Sequence, residues 1–145
     1  MSDDLFAPTV TQPVARARPP WDLGTMLYPS AFGGALSATA LGLLNGYRLG
    51  VGPLRQVTVA AAGLVAMALR VALLVALRER GNQISVTLTA AAGIAVWLVV
   101  RVVQTRPERA FRLRGGQPGA LWLPGLVAAV AGGLVEGLIT FAIAR

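Results

Sequence analysis

Glu136 and Arg70 are the residues of this chain whose types and positions could do chemistry. Each is a lone charge inside an apolar run, Glu136 within 121–144 and Arg70 within 57–77. A charge deep in a bilayer is costly and normally faces protein, water or an ion of opposite sign. A carboxylate and a guanidinium at one depth could form a static ion pair, take part in a proton relay, or line the path of an ion or solute. One acid without a chain of further titratable groups argues only weakly for a relay.

Helical counting predicts that the two charges meet. In four antiparallel spans joined by short connections, the second and fourth spans both end on the side of the N-terminal tail. Glu136 stands eight residues before Ala144 and Arg70 seven before Leu77, which puts both roughly 10 to 12 Å below that surface. The alternatives are a neutral, protonated Glu136, an Arg70 that reaches the headgroups by itself, and a partner in another molecule.

The elements that must hold these residues are visible in composition. A chain of 145 residues with 55% hydrophobic and 13% charged content and a mean hydropathy of +0.65 is too apolar for a soluble domain of this size. About 20 mostly apolar residues cross a bilayer, and such runs recur at about 26–47, 57–77, 84–103 and 121–144. The expected fold is all-α: a four-transmembrane-helix bundle over 26–145 with short connections, preceded by an irregular, proline-containing polar tail, 1–25. That tail lacks the apolar core of a signal peptide. Trp21 is expected at headgroup level before the first span.

The net charge of +7 raises nucleic acid as a partner, but the arginines sit in the tail and connections rather than on one face with stacking aromatics. That pattern belongs to membrane topology and lipid headgroups, so no nucleic acid is expected. All thirteen basic residues are Arg, and the chain has no His and no Cys. Disulfides, thiolate chemistry, a histidine base and the usual zinc site are thereby excluded. No metal or cofactor is expected, and with no recognisable nucleophile and base, no enzyme.

Small residues recur every fourth position on two spans: Ser30, Gly34, Ala38 and Gly42 on the first, and Gly125, Ala129, Gly133 and Gly137 on the fourth. Such stripes let helix backbones approach closely, although Gly and Ala are also simply common in this chain. On the second span Gly63, Ala66 and Arg70 share a face. The third carries Ser85, Thr89, Gly93, Trp97 and Arg101, with Arg101 near enough to the border to snorkel. Between the third and fourth spans, Arg106, Arg109, Arg112 and Arg114 form the densest charge. Thr105 and Glu108 have the spacing of a capping box, so a short interfacial helix is expected to present Arg109 and Arg112, with Phe111 and Leu113, to lipid headgroups, which Arg101, Arg106 and Arg114 are also expected to meet.

Orientation is nearly balanced. Arg16, Arg18, Arg78, Arg80 and Arg145 fall on the expected tail side, and Arg48, Arg55, Arg101 and the four from Arg106 to Arg114 on the other. The small excess places the first and third connections in the cytoplasm and both termini outside.

Two stretches resemble a family of small, uncharacterised bacterial four-helix membrane proteins. In 28–50, Phe32, Gly33, Gly34, Leu43, Leu44, Asn45, Tyr47, Leu49 and Gly50 carry the likeness; in 104–122, Gly115, Gly116 and Trp122 do. The chain departs from the pattern at Ala35, where a Pro commonly follows the glycines, and at Ala120, where a Ser is usual. The resemblance implies a multi-pass protein of the bacterial plasma (inner) membrane and no particular activity. The lipid bilayer is one partner, and protein partners in the membrane or further copies of the chain are expected. The first functional expectation is a non-enzymatic accessory or structural subunit of a larger membrane assembly. The alternative is an oligomeric small transporter or channel using Glu136 and Arg70.

Overall fold

The computed structural model describes residues 18–77 and 82–144; the expectations for 1–17 and for Arg78, Arg80 and Arg145 concern positions outside the described residues. The described residues form four helices, α1 (Leu27–Leu49), α2 (Pro53–Ala76), α3 (Asn82–Leu113) and α4 (Trp122–Ala144). Each is long and apolar enough to cross a membrane. The chain is an all-helical, multi-pass membrane protein with short connections.

Local sequence sets most of the ends. Gly50 adopts φ 72° and closes α1 as a left-handed cap, and Val51 N–H donates to the Gly46 carbonyl, which satisfies carbonyls that the helix end would leave open. Pro53 opens α2 at a position that needs no N–H. The third helix departs from expectation. It runs through Pro107 to Leu113 as one element, and no separate interfacial helix forms among the described residues. Thr105 caps nothing; its hydroxyl donates back to the Arg101 carbonyl within the helix. Gln104, placed by its sequence context in a connection, is a fully buried residue of α3.

The first helix is two helices joined at Gly34, whose φ of 69° and ψ of −159° are not helical. That backbone region is open essentially only to glycine. Neighbours along the bundle show the chain reversing direction there. Before the break, Leu23 accepts a hydrogen bond from Trp97 and Ser30 lies against Gly93, so this half runs antiparallel to α3. After it, Gly42 lies against Val100 and Asn45 bonds Gln104, so the second half runs parallel to α3. Contacts with α4 agree, since Pro29 sits by Gly125 and Gly33 by Ala129. The chain therefore starts and leaves α1 at the same end of the bundle.

This corrects the expected position of the tail. Trp21 is buried against protein. Its N–H donates to Asn45 Oδ1 at 2.6 Å, Arg48 covers its ring at 3.8 Å, and Gly119 N–H donates to the Pro20 carbonyl at 2.8 Å. Residues 19–21 thus lie with the α1–α2 and α3–α4 connections, at the end opposite to the one where α2 and α4 finish. The first described residues and the end of α4 therefore lie at opposite ends of the bundle.

The hairpin of α1 is the centre of the molecule, packed by all three other helices. Half of its apolar window is buried, against 11% for α4, although α1 has the lowest mean hydropathy, 1.3 against 2.1 or more. Burial against protein, not greasiness, selects its composition: lipid supplies no hydrophobic drive between helices, and small residues that permit close approach take its place. Ser30, Gly34, Ala38 and Gly42 are all buried there. On α4 the stripe is different. Gly125 and Ala129 face α1, but Gly133 meets only the Phe32 carbonyl at 3.5 Å and Gly137 nothing within 4 Å. Gly132 and Glu136 take their places, because a four-residue repeat drifts by about 40° per step around a helix of 3.6 residues per turn.

Candidate functional site: a buried ion pair under a helical hairpin

Arg70 from α2 and Glu136 from α4 are 2% and 1% exposed, with Nε 3.1 Å from Oε2. The two helices barely touch elsewhere, so long side chains bridge a gap that backbones leave open. The Nε–H is directed at Thr89 Oγ1, 3.0 Å away, and Oε2 receives charge without a hydrogen bond. Nη2 donates to Thr140 Oγ1 at 2.9 Å and to the Glu136 carbonyl at 3.4 Å. Nη1 is buried and meets no acceptor.

The other carboxylate oxygen belongs to α1. Leu36 N–H donates to Glu136 Oε1 at 3.3 Å, and a side-chain carbon on Gly34 would overlap the carboxylate. Breaking the helix at Gly34 exposes N–H groups at the start of its second half, the positive end of a helix dipole. The carboxylate therefore lies between a guanidinium and a helix N-terminus, both of which attract negative charge. Non-helical backbone at membrane depth is tolerated only where protein or a cavity satisfies it, and here Glu136 does so.

A cavity of about 450 Å³ adjoins the pair, lined by Phe32, Arg70, Ser85, Thr89, Glu136 and Thr140 among others. Ser85 and Thr140 hydroxyls stand 3.3 Å apart, near the start of α3 and the end of α4. The polar wall thus runs from the ion pair toward the end of the bundle away from the hairpin's open side. The Ser85–Thr89–Gly93–Trp97–Arg101 stripe is used along its length. The first two residues line the cavity, Gly93 admits the Ser30 carbonyl, Trp97 holds Leu23 at 2.8 Å, and exposed Arg101 lies 5.3 Å from the Trp97 ring.

A second polar cluster holds the open end of the hairpin. Gln104 donates to the Gly42 carbonyl at 2.6 Å and accepts from Asn45 at 3.0 Å, and Asn45 in turn holds Trp21. The arginines assigned to headgroups divide. Arg106, Arg109 and Arg114 are exposed, whereas Arg112, itself 47% exposed, bridges Asp22 at 2.7 Å and Glu108 at 2.8 Å. Burial pushes the Asp22 carboxyl up, but the Arg112 bond and the Gly24 and Thr25 N–H groups outweigh it and hold the group below its ordinary value.

Thr140 and Gln104 were not singled out by sequence reasoning, and Thr89 and Asn45 only as members of a stripe and of a family likeness, without partners. For the two amides a signal exists, because side chains with four hydrogen-bonding sites are rare inside apolar runs unless matched. The two threonines give none, since a threonine bonds its own helix as readily as a neighbour. Among the described residues no three His, Cys, Asp or Glu groups converge to hold a metal. Comparison with family models, curated proteins and solved structures finds no match.

Proposed function

We propose that this protein forms the path of a small ion or solute across a membrane, with Arg70 and Glu136 as the step in its interior. One observation carries the reading: a helix that breaks at Gly34 and presents its new N-terminus to a buried charge pair beside a cavity with one polar wall. Discontinuous helices whose half-helix ends face the bilayer interior are how many transporters build binding sites, and an intramembrane ion pair that served packing alone would add little net stability. Four helices are few for a self-contained route, so the reading includes assembly of several copies. The resemblance noted from sequence supports a bacterial plasma membrane as its place.

The reversed hairpin supports one orientation over the other. Arg18, Arg48, Arg55, Arg101, Arg106, Arg109, Arg112 and Arg114 gather at its open end, while Arg78, Arg80 and Arg145 belong in sequence to the other. Arginine excess marks the cytoplasmic side, so the cavity faces outward. The test is flux through purified protein in liposomes. Glu136→Gln changes the passage of at least one ion or small solute by tenfold or more while the protein stays folded and monodisperse. An unchanged panel of fluxes removes the reading.

A second reading, a non-enzymatic accessory or structural subunit of a larger assembly, is favoured by α4, whose apolar window is 11% buried and whose Gly137 is open. It predicts unrelated subunits copurifying from native membranes, and a lone chain in every mild detergent counts against it.

A further inference from the structure

The Glu136 carboxylate occupies a place built for an anion. Two independent features converge on it. Leu36 N–H, at the start of a fifteen-residue half-helix, points at Oε1 from one side. Arg70, 2% exposed, faces Oε2 from the other and keeps Nη1 without an acceptor. Arg70 also lines the cavity beside the pair, so the guanidinium adjoins a space with room for more than the side chain that now faces it. A buried guanidinium N–H with no acceptor is costly, and a ligand oxygen or halide would satisfy it.

We propose that Arg70 and the N-terminus of the second half of α1 form a binding site for a small monovalent inorganic anion, and that Glu136 is a tethered anion competing for it. The inference rests on the conducting role proposed above and names the class of solute. When the carboxylate swings toward the hydroxyls of Ser85 and Thr140, an anion from the cavity takes its place between Arg70 and Leu36 N–H. Charge balance selects the class. A monovalent anion puts beside Arg70 the same single negative charge that the carboxylate held before it turned away, so the guanidinium stays matched. A divalent anion leaves one uncompensated charge in a low-dielectric interior. A cation meets Arg70 and a helix N-terminus, both repulsive, and no second acid among the described residues helps to hold it.

The experiment compares wild type, E136Q and the double variant R70Q/E136Q in liposomes, with nitrate, chloride and potassium as probes. E136Q keeps the shape of the side chain and removes the competing charge, so nitrate and chloride flux rise at least tenfold over wild type while potassium flux does not change. R70Q/E136Q contains no buried charge, folds, and returns anion flux to the level of empty vesicles. Binding gives an independent readout in detergent. Nitrate raises the melting temperature of E136Q by about 3 °C and leaves the double variant unmoved. The proposal is overturned if E136Q passes potassium rather than anions, or if the double variant passes anions as well as E136Q does. Either result leaves a conducting protein in place. No flux of any probe in any folded variant, with no nitrate shift, removes both this site and the conducting role.

Discussion

At the scale of single residues, the ion pair and the glycine beside it form one unit. Gly34 supplies the positive φ that turns the chain, and its missing side chain is the space in which the Glu136 carboxylate lies. Gly34→Ala adds backbone strain of about 1–3 kcal/mol and displaces one member of a buried pair, a disruption worth about 3–5 kcal/mol on its own. Thermal unfolding in detergent should show a loss of at least about 3 kcal/mol for this change. Gly137→Ala, on the same helix as Glu136 but with open space around it, should be neutral within about 0.5 kcal/mol. A large cost at Gly137 would restore the four-residue stripe read from sequence. The approach of Arg70 to Glu136 was legible in the chain because depth can be counted along helices in residues. The part played by Gly34 was not, because a glycine in a small-residue stripe looks the same whether it admits a neighbouring helix or a carboxylate.

Among the elements, α1 is where sequence pattern and structure part. Twenty-three mostly apolar residues with Pro29 in the first turn satisfy every criterion of a single crossing, and no residue type states which of two adjacent glycines will take a non-helical φ. One substitution separates the two shapes. Ala35 opens the second half-helix, where proline is at home, whereas in the middle of a continuous helix proline costs about 3 kcal/mol. Ala35→Pro should cost less than about 1 kcal/mol by thermal unfolding; a loss near 3 would mean an unbroken helix. The segment leading into α1 depends on charge as well as on Asn45 and Gln104. Asp22 is held below its ordinary value near 4 by Arg112 and two backbone N–H groups against the opposing effect of burial. A depressed carboxyl stabilises the fold above its unfolded value and loses that contribution as pH falls through the folded one. Melting temperature should therefore drop below about pH 4 in wild type, and less steeply in Asp22→Asn.

For the whole molecule, the four apolar runs were evident from composition, and their helical state followed. Their number did not determine the path, because a run long enough to cross can also enter and return. Counting arginines on the assumption of four crossings gave a near tie. With the hairpin in place, residues 19–21 join the first and third connections, and the described arginines outside the spans gather with them at one end. In the same geometry the polar wall of the cavity beside Arg70 and Glu136 runs toward the other end of the bundle, by way of Ser85 and Thr140.

The account stands most directly on that reversal, and cysteine labelling tests it cleanly because the natural chain has no cysteine. Arg18→Cys, Gln117→Cys and Leu77→Cys, each alone, would be exposed to a membrane-impermeant maleimide from either side of sealed vesicles of one orientation. The hairpin predicts that positions 18 and 117 label from the same side and position 77 from the opposite one. Labelling of 18 together with 77, and apart from 117, would mean that α1 crosses the membrane, and the half-helix beneath Glu136 would be lost with it.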